Sequence, residues 1–328
     1  MTSAAASVEA IVRAAGPHVP LLLARVEERL AALAAGHGPV LAQHAGATIA
    51  AGGKRLRPLL VLLAAGPGGA GRDVIAAATA VELVHSATLV HDDVLDAAPL
   101  RRGLPTVWAQ AGRDLAIATG DLLFSRAFSE LVATGSLAAV RTLSSAGSAL
   151  AEGELLQRQD AWNAAVPVER YLRRCELKTA RLFEASCELG ALAAAATAGV
   201  VDALGAFGRR IGLAFQILDD VLDVSGDAAR TGKHRGTDLL DGTVTLPLIL
   251  ARRRDGELAS VDLRTIVTAE QAAELCERIE ATGALAEATA QALEIVTEAK
   301  EELAALALEE SQRLALELVA DSVVDRRA

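Results

Sequence analysis

Aromatic side chains are almost missing from this chain: two Trp, one Tyr and five Phe among 328 residues. A site that steers a cation across aromatic faces has little to be built from. Cysteine is nearly as scarce. Cys175, Cys187 and Cys276 are odd in number and lack metal-ligand spacing, which fits small buried residues in a reducing cytosol rather than a disulfide framework. Long apolar runs are lacking as well. The longest, 58–71 and 189–201, fall short of the roughly 18 residues a membrane span needs, and Gly and Pro break the first. No basic-plus-apolar leader opens the sequence, so a cytoplasmic protein without a transmembrane segment is expected. A net charge of −10 gives nucleic acid no electrostatic footing. No convincing strand alternation is present.

What is abundant is Ala and Leu. Hydrophobic content reaches 52%, supplied mainly by these strong helix formers. The length permits one large helical domain or two ordinary ones. Gly and Pro stretches are short, and no boundary shows. The expectation is an all-α fold, a single large helical bundle over residues 1–328 around a central cavity. Periodicity predicts helices over 8–35 (interrupted at Pro17 and Pro20), 40–51, 58–65, 72–96, 113–133, 137–160 and 168–196. Loops are expected at 36–39, 66–71, 100–112, 134–136 and 162–167. Residues 225–245 form the one long polar loop beside a motif, in the position of a lid. From Pro247 onward about four motif-free, Ala/Glu/Leu-rich helices complete the chain.

The chain is organised around D-D-V-L-D, Asp92 to Asp96, at the end of an apolar helix. Asp92 and Asp96 are i and i+4, and Asp93 and Asp96 are i and i+3, so all three carboxylates can share a face. Hard oxygen ligands on one turn suit Mg²⁺. A solvated acidic face is the competing reading. The motif recurs as Asp219, Asp220 and Asp223, again after an apolar run (Ile211, Leu213, Ala214, Phe215). Two such helices can face each other across a bundle and hold several Mg²⁺ ions with open positions for a diphosphate. Upstream, G-G-K-R-L-R-P (Gly52 to Pro58) gathers three cations behind glycines, a pattern able to wrap an anion.

Together with R-R-G (Arg101 to Gly103), G-D-L-L-F-S-R-A-F (Gly120 to Phe128), A-E-G-E (Ala151 to Glu154), K-T-A-R-L-F-E-A (Lys178 to Ala185) and G-K-x-x-G-x-D-L (Gly232 to Leu239), the chain resembles the trans-isoprenyl diphosphate synthases. It is most similar to their bacterial long-chain members, such as the octaprenyl and heptaprenyl diphosphate synthases. The resemblance implies a prenyltransferase that condenses isopentenyl diphosphate with an allylic diphosphate, 1′-4 head to tail, after Mg²⁺-dependent ionisation. It assigns metal ligation to Asp92, Asp96 and Asp219, with three Mg²⁺ per active site. Asp93, Asp220 and Asp223 join the catalytic carboxylates. Lys54, Arg57, His85 and Arg102 are assigned to isopentenyl diphosphate. Arg101, Lys178, Thr179, Gln216 and Lys233 go to the allylic diphosphate, with Lys178 and Lys233 also counted as catalytic. One departure stands out: many relatives carry Lys at the position of Thr243, which puts one diphosphate contact in doubt and leaves Arg235 or His234 to compensate. The N-terminal helices are implied to form a homodimer contact. No side chain is an evident general base, in keeping with the released diphosphate taking the proton in this family.

Product length is read from Ala87 and Thr88, one turn before Asp92, where short-chain relatives tend to carry bulky aromatics. Two small residues leave the way open, so a medium- to long-chain trans-polyprenyl diphosphate for a quinone side chain is expected. The alternatives are a geranylgeranyl or farnesyl diphosphate synthase, a class I terpene cyclase, which the scarcity of aromatics disfavours, and an inactive partner subunit.

Overall fold

A computed structural model describes residues 3–36, 38–226 and 235–324. The all-α expectation holds, and the chain divides into two compact bodies.

The first body comprises Met1–Gly147, Leu182–Gly208 and Leu303–Val319. Its opening segment is two helices, α1 Ser3–Ala15 and α2 His18–Ala34, separated at Pro17 as proline chemistry requires. Pro20 is tolerated because it falls in the first turn of α2. Helices α3 (Pro39–Ala50) and α4 (Leu56–Ala65) follow, then α5, Arg72–Leu95, the central element. Helix α5 is packed by α2, α3, α4, α6 (Val107–Ala111) and α7 (Arg113–Val132). It is long and apolar enough to cross a membrane by length and composition, yet 78% of its most apolar window is buried inside the protein. That burial is what an all-round apolar core helix shows.

The second body comprises Ser148–Arg181, Arg209–Glu302 and Ala320–Ala328. Along the chain, α8 (Leu137–Asp160) belongs to the first body up to Gly147 and to the second from Ser148, α9 (Val168–Cys175) to the second, α10 (Arg181–Ala193) from Leu182 on to the first, and α11 (Ala198–Ser225) to the first up to Gly208 and to the second from Arg209, before the short α12, Thr237–Leu240. Next come α13 (Leu246–Arg254), α14 (Gly256–Ser260), α15 (Ala269–Ala281), α16 (Ala284–Ala304) and α17 (Glu310–Val324). Within this body α13 packs against α9, α14 and α15.

Two expectations are corrected. The stretch 100–112 is not all loop: Leu100–Arg101 and Leu104–Pro105 pair antiparallel, and α6 follows. The pairing turns through Arg102 and Gly103, both with positive φ (54° and 77°), the combination a two-residue hairpin favours. Nor is 168–196 one continuous α-helix. Between α9 and α10, Glu176–Ala180 winds as a π-helix. Such bulges are rare and concentrate at functional sites, and this one contains Lys178 and Thr179.

Candidate active site

In the first body α5 brings Asp92 and Asp93 to its last turn and Asp96 to its C-cap. The three carboxylates do not share one environment. Asp93 is buried; its Oδ1 accepts from Arg101 Nε at 2.7 Å and forms an ion pair with a terminal nitrogen of the same guanidinium, also at 2.7 Å. Burial raises the Asp93 pKa, against the pull of Arg101. Asp92 keeps partial access to solvent, and Asp96 is exposed. The middle carboxylate is therefore spent on the protein, and the outer two face outward.

The glycine-cation loop lies in the same body. Arg55 sits in the left-handed region (φ 47°) at the N-cap of α4. Its guanidinium donates to Glu27 at 2.5 and 3.1 Å, to Glu82 at 2.7 Å and to the Ile49 carbonyl at 2.8 Å. Arg55 is thus the anchor of the loop, a role the sequence did not disclose. Arg57 stacks on the Phe183 ring, 4.8 Å from its centroid. The loop backbone at Gly53 abuts Arg102: an added Cβ would lie 2.9 Å from its guanidinium. His85 is pushed well below the usual imidazole range, first by burial and then by Arg57, Arg102, Arg101 and Arg55. A neutral imidazole among guanidiniums, with Lys54 exposed on the adjoining loop, is a setting ready for a multiply charged anion.

The second body repeats the carboxylate pattern. Asp219 is exposed, Asp220 is buried and Asp223 is intermediate. Asp220 accepts from Tyr171 Oη and Gln216 Nε2, both at 2.7 Å. Burial drives the Asp220 pKa upward, opposed by these two hydrogen bonds and by Arg174. Gln216 Oε1 in turn accepts from Thr179 at 2.7 Å. Lys178 donates to Glu154, which also accepts from Arg158 at 2.7 Å. Asp223 accepts the Asp238 backbone N–H at 3.1 Å, capping the first turn of α12. The π-segment comes close to α8 because residue 153 is glycine. A Cβ there would lie 2.6 Å from Lys178 N. That explains A-E-G-E: Gly153 admits the π-segment and Glu154 receives its lysine.

Among the described residues no three His, Cys, Asp or Glu side chains form a preformed metal cluster. Mg²⁺ does not need one. It keeps several waters and takes one or two carboxylates plus substrate phosphates. Each body offers accessible carboxylates of that kind beside a buried, hydrogen-bonded neighbour: Asp92 and Asp96 beside Asp93 in the first, and Asp219 beside Asp220 in the second.

The polyprenyl synthetase family model matches residues 39–282. The chain belongs to the polyprenyl synthetase family. Component 2 of the heptaprenyl diphosphate synthase of Geobacillus stearothermophilus is 44% identical over 256 residues, 76% of this chain and 79% of that protein. The Escherichia coli octaprenyl diphosphate synthase is 37% identical over 220 residues, 67% of this chain and 68% of its own. A solved structure of a Caulobacter crescentus polyprenyl synthase, complexed with calcium and isoprenyl diphosphate, superposes with a TM-score of 0.88 at 35% identity, covering 98% of each chain. This polyprenyl synthetase is a prenyltransferase of isoprenoid synthesis.

Several sequence assignments can now be placed on the synthetase. Ala87 is fully buried, whereas Thr88 retains some accessible surface and donates to the His85 carbonyl at 2.8 Å. His91 packs edge-on where Gly120 of α7 leaves room for it and stacks on Phe124 at 5.9 Å. Lys233 and His234 lie outside the described residues. Arg235 donates to the Val224 carbonyl and to Glu280, the latter at 2.7 Å. Sequence reasoning missed Arg55, Glu154 and Tyr171. The signal for Glu154 was present, since it closes the motif A-E-G-E, Ala151 to Glu154. Tyr171 belongs to no motif at all.

Proposed function

We propose that this enzyme condenses isopentenyl diphosphate with an allylic diphosphate, 1′-4 head to tail, to give a trans-polyprenyl diphosphate of about six to ten isoprene units. The observation that carries the reading is the repeated carboxylate motif with its buried, hydrogen-bonded middle Asp and accessible outer Asp, set in a chain 44% identical to a heptaprenyl synthase component. Bound Mg²⁺, three ions per site, would neutralise the leaving diphosphate. Asp92, Asp96 and Asp219 are the proposed ligands. Lys54, Arg57, His85 and Arg102 hold isopentenyl diphosphate. Arg101, Lys178, Thr179, Gln216 and Lys233 orient the allylic diphosphate, and the arginine and lysine charges stabilise the negative charge that develops on the departing diphosphate as the C–O bond breaks. A neutral His85 accepts or donates a hydrogen bond without adding to the crowd of cations. The allylic cation is attacked by the isopentenyl double bond, and the proton leaves to the departing diphosphate. Exclusion of water protects the cation from quenching.

Product length rests on the small side chains Ala87 and Thr88, since each added unit gains from burial in an apolar channel. A geranylgeranyl or farnesyl product is the alternative. Incubation of the purified chain with labelled isopentenyl diphosphate and farnesyl diphosphate, followed by sizing of the products, tests both steps. Products of twenty carbons or fewer overturn the long-chain reading.

We further propose one catalytic domain over 1–328 and a cytoplasmic homodimer. Leu21, Val132 and Leu137 of the first body are at least 61% exposed and supply apolar surface for a contact. The three cysteines are unpaired and buried, which suits a reducing compartment. Because one relative is named a component, the purified single chain is the right sample: full activity and a dimeric mass by light scattering support the homodimer. Activity only on addition of a second polypeptide favours the component reading.

A further inference from the structure

The second carboxylate motif has a support that no motif marks. Tyr171 is the single tyrosine in the chain and is 0% exposed. A core position of that kind needs only a phenyl ring; a hydroxyl there must find a partner or pay for its absence. The partner is Asp220 Oδ2, at 2.7 Å. Arg174, itself 3% exposed, lies over the Tyr171 ring at 5.3 Å and donates to the Val244 carbonyl at 2.5 Å. The other oxygen of Asp220 is taken by Gln216, and Gln216 by Thr179 of the π-segment. One continuous chain of contacts thus runs from Arg174 through Tyr171, Asp220 and Gln216 to Thr179. Each link lies inside the second body.

Resting on the proposed metal role of Asp219, we infer that Tyr171 is a positioning residue: its hydroxyl fixes Asp220, and through it the last turns of α11 and the Gln216–Thr179 pair, in the arrangement that receives a metal–diphosphate. The hydroxyl suits the task. Burial, and then Asp220 beside it, hold the phenol well above its usual pKa, so it remains a donor throughout the working range. Arg174 behind the ring, itself buried, places a positive charge beside the same hydrogen-bonded pair. The counterpart in the first body is Arg101 on Asp93, so each motif has its middle carboxylate tied down by a donor from another element.

The uniqueness of Tyr171 gives a direct probe. Protein grown with 3-fluorotyrosine carries a single fluorine label, and its ¹⁹F resonance should shift when Mg²⁺ and inorganic diphosphate are added together. In parallel, Mn²⁺ binding in the presence of inorganic diphosphate, followed by electron paramagnetic resonance, should weaken about tenfold in Tyr171→Phe, the lower end of what loss of an outer-shell partner does to metal sites. The same variant should show a raised Mg²⁺ requirement and a lowered kcat with an unchanged KM for isopentenyl diphosphate, because that substrate is assigned to residues of the first body. A fluorine signal that ignores Mg²⁺ and diphosphate while wild-type protein binds Mn²⁺ overturns the inference, and so does a Tyr171→Phe protein with wild-type Mn²⁺ affinity. If wild-type protein binds no Mn²⁺ with diphosphate, the metal reading of the motif falls and takes this inference with it. The fluorine experiment uses the wild-type sequence, so it decides the matter even where the substitution unfolds the protein.

Discussion

Gly153→Ala isolates the contact that holds the π-segment against α8. The three atoms nearest the added Cβ are all backbone: Lys178 N at 2.6 Å, Lys178 Cα at 2.9 Å and Leu177 C at 3.0 Å. Backbone atoms cannot swing away as a flexible side chain would, so the π-segment or α8 must shift. Overpacking of this kind costs about 1–3 kcal/mol, while replacing a helical glycine by alanine returns about 1 kcal/mol. The net loss of stability is then ~0–2 kcal/mol, a change of a few degrees in melting temperature. Activity should suffer more. Lys178 and Thr179 lie on the displaced backbone, and a shift of about 1 Å in a positioning group can lower a rate about 10²-fold, equivalent to ~2.7 kcal/mol. Gly147 lies on the same helix with nothing within 4 Å of a Cβ, and it serves as the control. Gly147→Ala should stabilise by up to about 1 kcal/mol and leave kinetics alone. The assay is steady-state kinetics with the allylic and isopentenyl substrates varied separately, beside thermal melts of both variants. Wild-type kcat/KM for the allylic substrate in Gly153→Ala would refute the reasoning, as would equal kinetic losses in the two variants.

Asp92→Ala or Asp219→Ala should each reduce turnover by about 10²-fold or more, since each removes several kcal/mol of transition-state stabilisation; near-normal turnover in either removes that residue from the metal site. Arg57→Ala should raise KM for isopentenyl diphosphate much more than for the allylic partner, and an equal rise in both would show that the two subsites have been confused. Thr88→Phe should shorten products toward farnesyl or geranylgeranyl diphosphate with catalysis intact. Ala87→Phe should do the same but also destabilise, by about 1–3 kcal/mol, because Ala87 has no free surface. Unchanged long products from the Thr88 variant place the channel elsewhere. His85 supplies the pH dependence. Its folded pKa lies below the unfolded value, so the folded state binds fewer protons in the interval between them, and stability is full above the unfolded pKa and falls as pH drops toward the folded one. Melts recorded from pH 7 to pH 5 should show that fall in wild type and a flatter profile in His85→Gln; identical profiles would mean that the histidine titrates normally.

Local patterning determined the helices and most of their ends, from the break at Pro17 to α8 at 137–160. Backbone propensity and the 3.6-residue repeat act over a few neighbours, so they can be read along the chain. The spacing of each Asp triad likewise named the carboxylates, and the order of the motifs pointed to the family. What one helix cannot reveal is which residue on a face will be covered. Asp93 and Asp220 are the inward carboxylates because Arg101, eight residues on, and Tyr171, 49 residues back, come to meet them. The π-segment depends on a missing Cβ at Gly153 on a different helix. Arg55 became an anchor rather than a ligand because Glu27 and Glu82, 28 and 27 residues away, converge on it. Composition and spacing supply the donors and acceptors; only tertiary packing selects which pairs meet, because the energy of a buried polar group is set by the partner that reaches it.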